Sequence, residues 1–202
     1  MKAEEPITEY AKLNLEGNYT YWDYLKWQFK ERVELIRGKV FRMTPPAPNM
    51  HHQITNRNLI TLLLDWLNEK PCQLFIAPFD VRLPVPKSGK DSTVVQPDLC
   101  IVCDATKLDK HGCNGAPDFM LEILSPGNSK HEMDTKFKIY QESGVKEYWI
   151  VDCERRSILI FSLQAHHTMA GLKPFTEGET IQSPLFPDLQ IQVTDIFKGI
   201  TE

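Results

Sequence analysis

Pro117-Asp118-Phe119-Met120-Leu121-Glu122-Ile123-Leu124 is a strand-length apolar run with a carboxylate set inside it, and its reading decides the fold. Strand alternation puts Asp118, Met120, Glu122 and Leu124 on one side and Phe119, Leu121 and Ile123 on the other. An ionised glutamate among such neighbours is costly unless it is paired or bound to a cation. A second run, Pro97-Asp98-Leu99-Cys100-Ile101-Val102-Cys103, lies just upstream and opens on its own carboxylate. The connection between them, Asp104 to Gly115, has a length that suits pairing of the two strands. Carboxylates on neighbouring strands can bind Mg²⁺ while leaving positions for water and a phosphate. Equally, Asp98 can cap a turn and Glu122 can pair with a core arginine or lysine. Spacing alone leaves both readings open.

Downstream, Asn128 or Ser129 starts a helix that runs to about Ser143 and is closed by Gly144. It carries Lys136 four residues before Tyr140. A buried strand, Val145 to Asp152, then pairs with Ser157 to Leu163 across Glu154-Arg155-Arg156, and the tail forms a final hairpin and a short helix. Upstream, Thr20 caps a helix from Tyr21 to about Phe29. Arg32 to Met43 folds as a hairpin around Arg37-Gly38, with Glu34 and Ile36 on one face. Proline-rich 45–48 is a loop, after which Asn49 caps a long helix from about His51 to Leu67. Leu74 to Ile76 and Asp80 to Leu83 read as strands, and Pro84 to Val94 as an exposed loop. The sum is a single α/β domain over residues 1–202, with a mixed, curved sheet flanked by helices.

The composition narrows function. With 202 residues and 42% hydrophobic content, the chain can fill one core. A net charge of −4, from 23 Lys+Arg against 27 Asp+Glu, excludes a protein that coats nucleic acid by bulk electrostatics, so any such contact is local. Five cysteines without pattern and no apolar leader point to a reducing cytoplasm. No apolar run approaches the roughly 18–20 residues of a membrane span.

Several separated motifs add to this: Glu34-Leu35-Ile36-Arg37-Gly38-Lys39, His52-Gln53 after the proline loop, Gln96-Pro97-Asp98, Leu121 to Pro126, Lys136 to Tyr140, and Gly144 to Asp152. In this order they resemble the Uma-type restriction endonuclease-like family of the PD-(D/E)XK nuclease superfamily, over most of the chain. The resemblance implies a restriction endonuclease-like fold, a mixed central β-sheet flanked by helices with an additional β-hairpin near the N-terminus. It implies an endonuclease that hydrolyses phosphodiester bonds with Mg²⁺, or with Mn²⁺ in its place, and expects DNA as the substrate. Asp98 then corresponds to the motif's aspartate and Glu122 to its second acid, and these two with the Ile123 carbonyl would hold the metal. The superfamily places a lysine two residues after the glutamate, where this chain has Leu124. In the family that role passes to the following helix, where Lys136 stands at the matching place. Lys138 points about 200° away from it. Glu34 matches an early acidic position that would support the metal shell or steer Lys136, and His52 and Gln53 would face the cleft and contact substrate. A homodimer is expected, because cutting both strands needs two sites. The departure at Leu124 and the negative charge both allow the alternative, a catalytically inactive nuclease-fold module that binds nucleic acid or protein.

Other signals carry less. Cys100 and Cys103 with His111 and Cys113 invite zinc, but alternation turns Cys100 and Cys103 to opposite faces, whereas a zinc site needs converging thiolates. His51 and His52 also suit a solvent-facing helix start. Tyr148 and Trp149 could stack on bases, yet within an apolar strand they fill the core. Lys87, Lys90, Lys107 and Lys110 lie in two loops that could bring local positive charge to a nucleic-acid backbone.

Overall fold

The computed structural model describes residues 6–43, 49–86, 91–125 and 130–201. The proline loop at 45–48, Lys87, Lys90 and the expected start of the third helix at Asn128 or Ser129 lie outside them. In chain order come α1 (Tyr21–Tyr24), β1 (Val33–Ile36), β2 (Lys39–Arg42), α2 (Met50–Leu67), β3 (Gln73–Ile76), β4 (Val81–Arg82), β5 (Val94–Val95) and β6 (Leu99–Val102). After these come β7 (Leu108–Asp109), β8 (Gly112–Asn114), β9 (Phe119–Ile123), α3 (Lys130–Ser143), β10 (Glu147–Asp152) and β11 (Ser157–Gln164). The chain closes with β12 (Thr168–Gly171), β13 (Phe175–Thr176), β14 (Thr180–Gln182), β15 (Gln190–Gln192) and α4 (Val193–Ile196).

The strands form a seven-stranded mixed sheet in the order β12-β11-β10-β9-β6-β3, with β13 also on β11, and a six-stranded sheet in the order β2-β1-β5-β4-β8-β7. In the first, β6 runs antiparallel to β9 and β9 parallel to β10. The parallel pair needs a crossover, which α3 supplies. Alternation along β9 divides the core: Phe119, Leu121 and Ile123 pack with α2, Trp149 and the C-terminal segment. Met120 instead joins Ile139, Tyr140, Tyr148 and Ile150 under α3, with Leu124 against them. Tyr148 and Trp149 are both buried core residues.

Two helices reach the site. The Asn49 side chain accepts from the His52 N–H at 2.9 Å, capping α2. Its buried face runs His52, Thr55, Leu59, Leu63, Leu67, helical spacing that starts on a histidine. At the far end of α3, Gly144 takes a φ of 87°, and the Val145 N–H bonds the Tyr140 carbonyl at 3.0 Å. A glycine fits that left-handed position without a Cβ clash.

Several local expectations give way. The first helix is one turn rather than running to Phe29, because Trp27 and Phe29 leave it to stack on each other and edge-on against Tyr24 and Tyr10. The segment read as loop from Pro84 ends in strand, since Val94 and Val95 pair with β1 and β4. Within Asp104 to Gly115 lies the small β7–β8 hairpin. The cysteines are not all unpaired: Cys72 and Cys103 form a disulfide, as the register Gln73↔Val102 brings the next residues opposite each other. Cys100 faces the other core and stays a free, buried thiol, on the opposite side of the strand from Cys103.

Candidate active site

Because β6 and β9 are antiparallel, the start of one meets the end of the other. Asp98, the residue before β6, accepts the Ile123 backbone N–H on Oδ2 at 2.8 Å. That bond ties Asp98 to the strand end carrying Glu122. Behind it, Gln96 anchors the turn: its side chain accepts from Arg32 and donates to Asp80 Oδ1 at 2.8 Å and to the Tyr24 hydroxyl. Its backbone N–H donates to Glu34 Oε1 at 2.9 Å. The Gln96-Pro97-Asp98 link thus crosses from one sheet to the other and fixes an acid on each.

From α3, Lys136 fills the space between the acids. Its ammonium lies 3.0 Å from Glu34 Oε1 and 3.0 Å from Glu122 Oε1, with all three side chains largely or wholly buried. One turn on, the Tyr140 hydroxyl donates to the same Glu122 oxygen at 2.6 Å. His52 reaches in from α2 with Nε2 3.5 Å from Asp98 Oδ2. Glu34, His52, Asp98, Glu122 and Lys136 therefore converge, and Ile123 contributes backbone beside them. Gln53 does not: one residue along the helix is about 100° around it, and its side chain faces solvent. Lys138 is likewise exposed. Lys107 turns to the Ala116 carbonyl at 2.8 Å, and Asp118 sits apart with Lys146 at 2.6 Å and the Cys103 N–H.

Charge is unbalanced here. Three carboxylates face one ammonium, and Glu34 Oε2, Asp98 Oδ1 and Glu122 Oε2 take no hydrogen bond among the described residues. Burial pushes the Glu122 carboxyl up, Lys136 opposes it, and Asp98 and Glu34 add to it, leaving it at about 7. Burial also works against the Lys136 charge, but Glu122 and Glu34 outweigh it and hold the ammonium well above its usual range. Burial, Glu122 and Glu34 likewise keep the Tyr140 phenol protonated.

Such a set fits a hard divalent cation. Among the described residues no three His, Cys, Asp or Glu side chains make a metal cage by themselves. Two neighbouring carboxylates with free oxygens suit Mg²⁺, which keeps several waters and binds through one or two carboxylates plus phosphate.

Tyr140 joins this cluster with little signal in the sequence. An aromatic at that place looks like core, and its only signal is the four-residue spacing from Lys136, which sets both on one helix face.

The fold is restriction endonuclease-like, a mixed sheet flanked by helices. A crystal structure titled as a putative nuclease belonging to DUF820, from Anabaena variabilis ATCC 29413, superposes with a TM-score of 0.68 over 89% of this chain and 97% of that one, at 17% identity. An uncharacterized protein of Synechocystis sp. (strain ATCC 27184 / PCC 6803 / Kazusa) is 22% identical over 153 residues, 75% of this chain and 74% of that protein. The family described as "Uma2: Putative restriction endonuclease" matches residues 22–194, and the chain belongs to it.

Proposed function

We propose that the protein is a Mg²⁺-dependent endonuclease acting on DNA. The observation that carries this reading is the buried Glu34–Lys136–Glu122 bridge beside Asp98, in which, among the described residues, acids outnumber cations and keep free oxygens. Asp98 and Glu122, with the Ile123 carbonyl, would hold the ion. When bound, Mg²⁺ lowers the pKa of a water and offsets charge developing on the phosphate.

The side chains divide the remaining work. Lys136, held as an ammonium by two carboxylates, cannot take a proton from water; it donates, orienting the attacking water or a phosphate oxygen. Glu34 keeps it aimed, being fixed in turn by the Gln96 N–H. His52 steadies Asp98 from the side. Lysine delivered from α3 thus stands in for the strand lysine that Leu124 replaces. For double-strand cuts two copies would act together, which sedimentation of the protein on a short duplex would show.

Nicking of supercoiled DNA with and without Mg²⁺ tests the reading. Wild type should nick only with the ion, and Asp98→Ala should lose the activity while keeping its circular dichroism spectrum. Equal cleavage by Asp98→Ala and Glu122→Ala would overturn it. Leu124 at the superfamily's lysine position favours a second reading, a binding module without turnover. Retention of DNA on the wild type with no nicking under any divalent ion would select that one.

A further inference from the structure

Two donors of unlike stiffness meet on one oxygen of Glu122. Lys136 arrives through a flexible stem, whereas Tyr140 arrives through a ring with two torsions. That ring is wholly buried, packed edge-on against Tyr148 at 4.9 Å between centroids, among Ile36, Ile139 and Val145. Its hydroxyl therefore has one place to be, 2.6 Å from Glu122 Oε1. The same oxygen takes Lys136 at 3.0 Å, so both donors load Oε1, and among the described residues Oε2 takes none.

We infer that Tyr140 is a positioning residue that fixes the orientation of Glu122, presenting Oε2 to a divalent cation and holding it there when Lys136 turns to water or phosphate. This rests on the metal-dependent reading above. The division of labour has a reason in the geometry. Lys136 is shared between Glu34 and Glu122 and is the only ammonium in the cluster among the described residues, so any movement toward substrate would release Glu122. A neutral phenol anchored in the core does not move with it. Groups that orient metal ligands in this way typically contribute about 10- to 100-fold in metal affinity.

Tyr140→Phe isolates the hydroxyl, since the ring and its packing remain. Three measurements are made on wild type, Tyr140→Phe and Lys136→Met: calorimetric Mn²⁺ binding in the absence of DNA, nicking as a function of Mg²⁺, and thermal melting without metal. Tyr140→Phe should bind Mn²⁺ about tenfold more weakly and need correspondingly more Mg²⁺. At saturating Mg²⁺ its kcat should return to within a few-fold of wild type, with KM for DNA unchanged. Lys136→Met should remain impaired at every Mg²⁺ concentration. Wild-type Mn²⁺ affinity in Tyr140→Phe would overturn the inference and leave the metal-dependent reading standing, and so would a kcat loss that excess Mg²⁺ does not rescue. Failure of wild type itself to bind Mn²⁺ would overturn both.

Discussion

Glu122 on β9 and Glu147 on β10 stand on paired parallel strands, both with little or no exposure, yet they are held in opposite ways. Glu147 is saturated by neutral donors: the Trp149 indole at 2.6 Å, the Leu185 N–H at 2.7 Å, and the Ser183 hydroxyl, which reaches both oxygens. No lysine or arginine pairs with it among the described residues, and no second acid crowds it. Burial raises its pKa and those hydrogen bonds pull it back. Its partners come from its own strand and from the segment before β15, so it fastens the C-terminal part of the chain to the sheet. Glu122 has two donors on one oxygen, two further acids beside it and, among the described residues, no donor on its second oxygen. The carboxylate at Glu147 is over-supplied with donors, and the one proposed to bind metal, Glu122, is under-supplied with positive charge.

Exchange of each glutamate for its amide strikes that contrast hardest. Glu122→Gln should lower Mg²⁺-dependent nicking by about 10³-fold or more, close to 4 kcal/mol in the barrier, while Glu147→Gln should stay within a few-fold per folded molecule. Next in size is the loss of stability when the saturated acid is removed. Glu147→Ala leaves an indole N–H, a backbone N–H and a hydroxyl without their acceptor, at about 3 kcal/mol or more, which lowers the melting midpoint by roughly 10 °C. Glu122→Ala should lose less, since it orphans only the Tyr140 hydroxyl while Lys136 keeps Glu34 and the crowding with Asp98 and Glu34 is relieved. Mg²⁺ at about 100 times its Kd should stabilise wild type and Glu147→Gln by about 2.7 kcal/mol, and leave Glu122→Gln unmoved in differential scanning fluorimetry.

The smallest effect is in pH. Glu122 binds its proton more tightly folded, at about 7, than in the unfolded chain, near 4.3. Its protonation therefore stabilises the metal-free protein at low pH, and that contribution fades as pH rises through about 7. Glu147 shifts in the same direction, so the quantity to measure is the difference between wild type and Glu122→Gln. Across pH 5 to 8 wild type should lose stability relative to the variant, on the order of 1–2 kcal/mol. A parallel pair of curves would contradict the crowding of acids at Glu122. If the site holds a metal as proposed, the same titration should make Mn²⁺ bind more tightly as pH rises through that window, which calorimetry at pH 6 and 8 would show.

The period-two pattern made β9 legible, because Phe119 to Leu124 alternates between two cores and only one face bears the acid. Antiparallel pairing of consecutive strands then placed Asp98 beside Glu122 without further information. Helical spacing separated Lys136 from Lys138. The same arithmetic separates His52 from Gln53, whose side chains lie a quarter turn apart and cannot both enter one cleft. What the chain order hid is tertiary. The Gln96 N–H on Glu34, the His52 contact with Asp98 and the Tyr140 hydroxyl on Glu122 each join residues that no local pattern relates. Cys72 and Cys103 escaped for the same reason, being neighbours only through the β3–β6 register. The two-residue strand β5 was too short to show a period, and α1 stopped early because aromatic stacking outweighed helix continuation.

A crystal soaked in Mn²⁺ and measured for anomalous scattering tests the central claim most directly. One peak bounded by Asp98, Glu122 and the Ile123 carbonyl, lost in Asp98→Asn crystals, is the expected result. A soaked crystal with no peak between those groups, at an ion concentration that supports nicking, would contradict it.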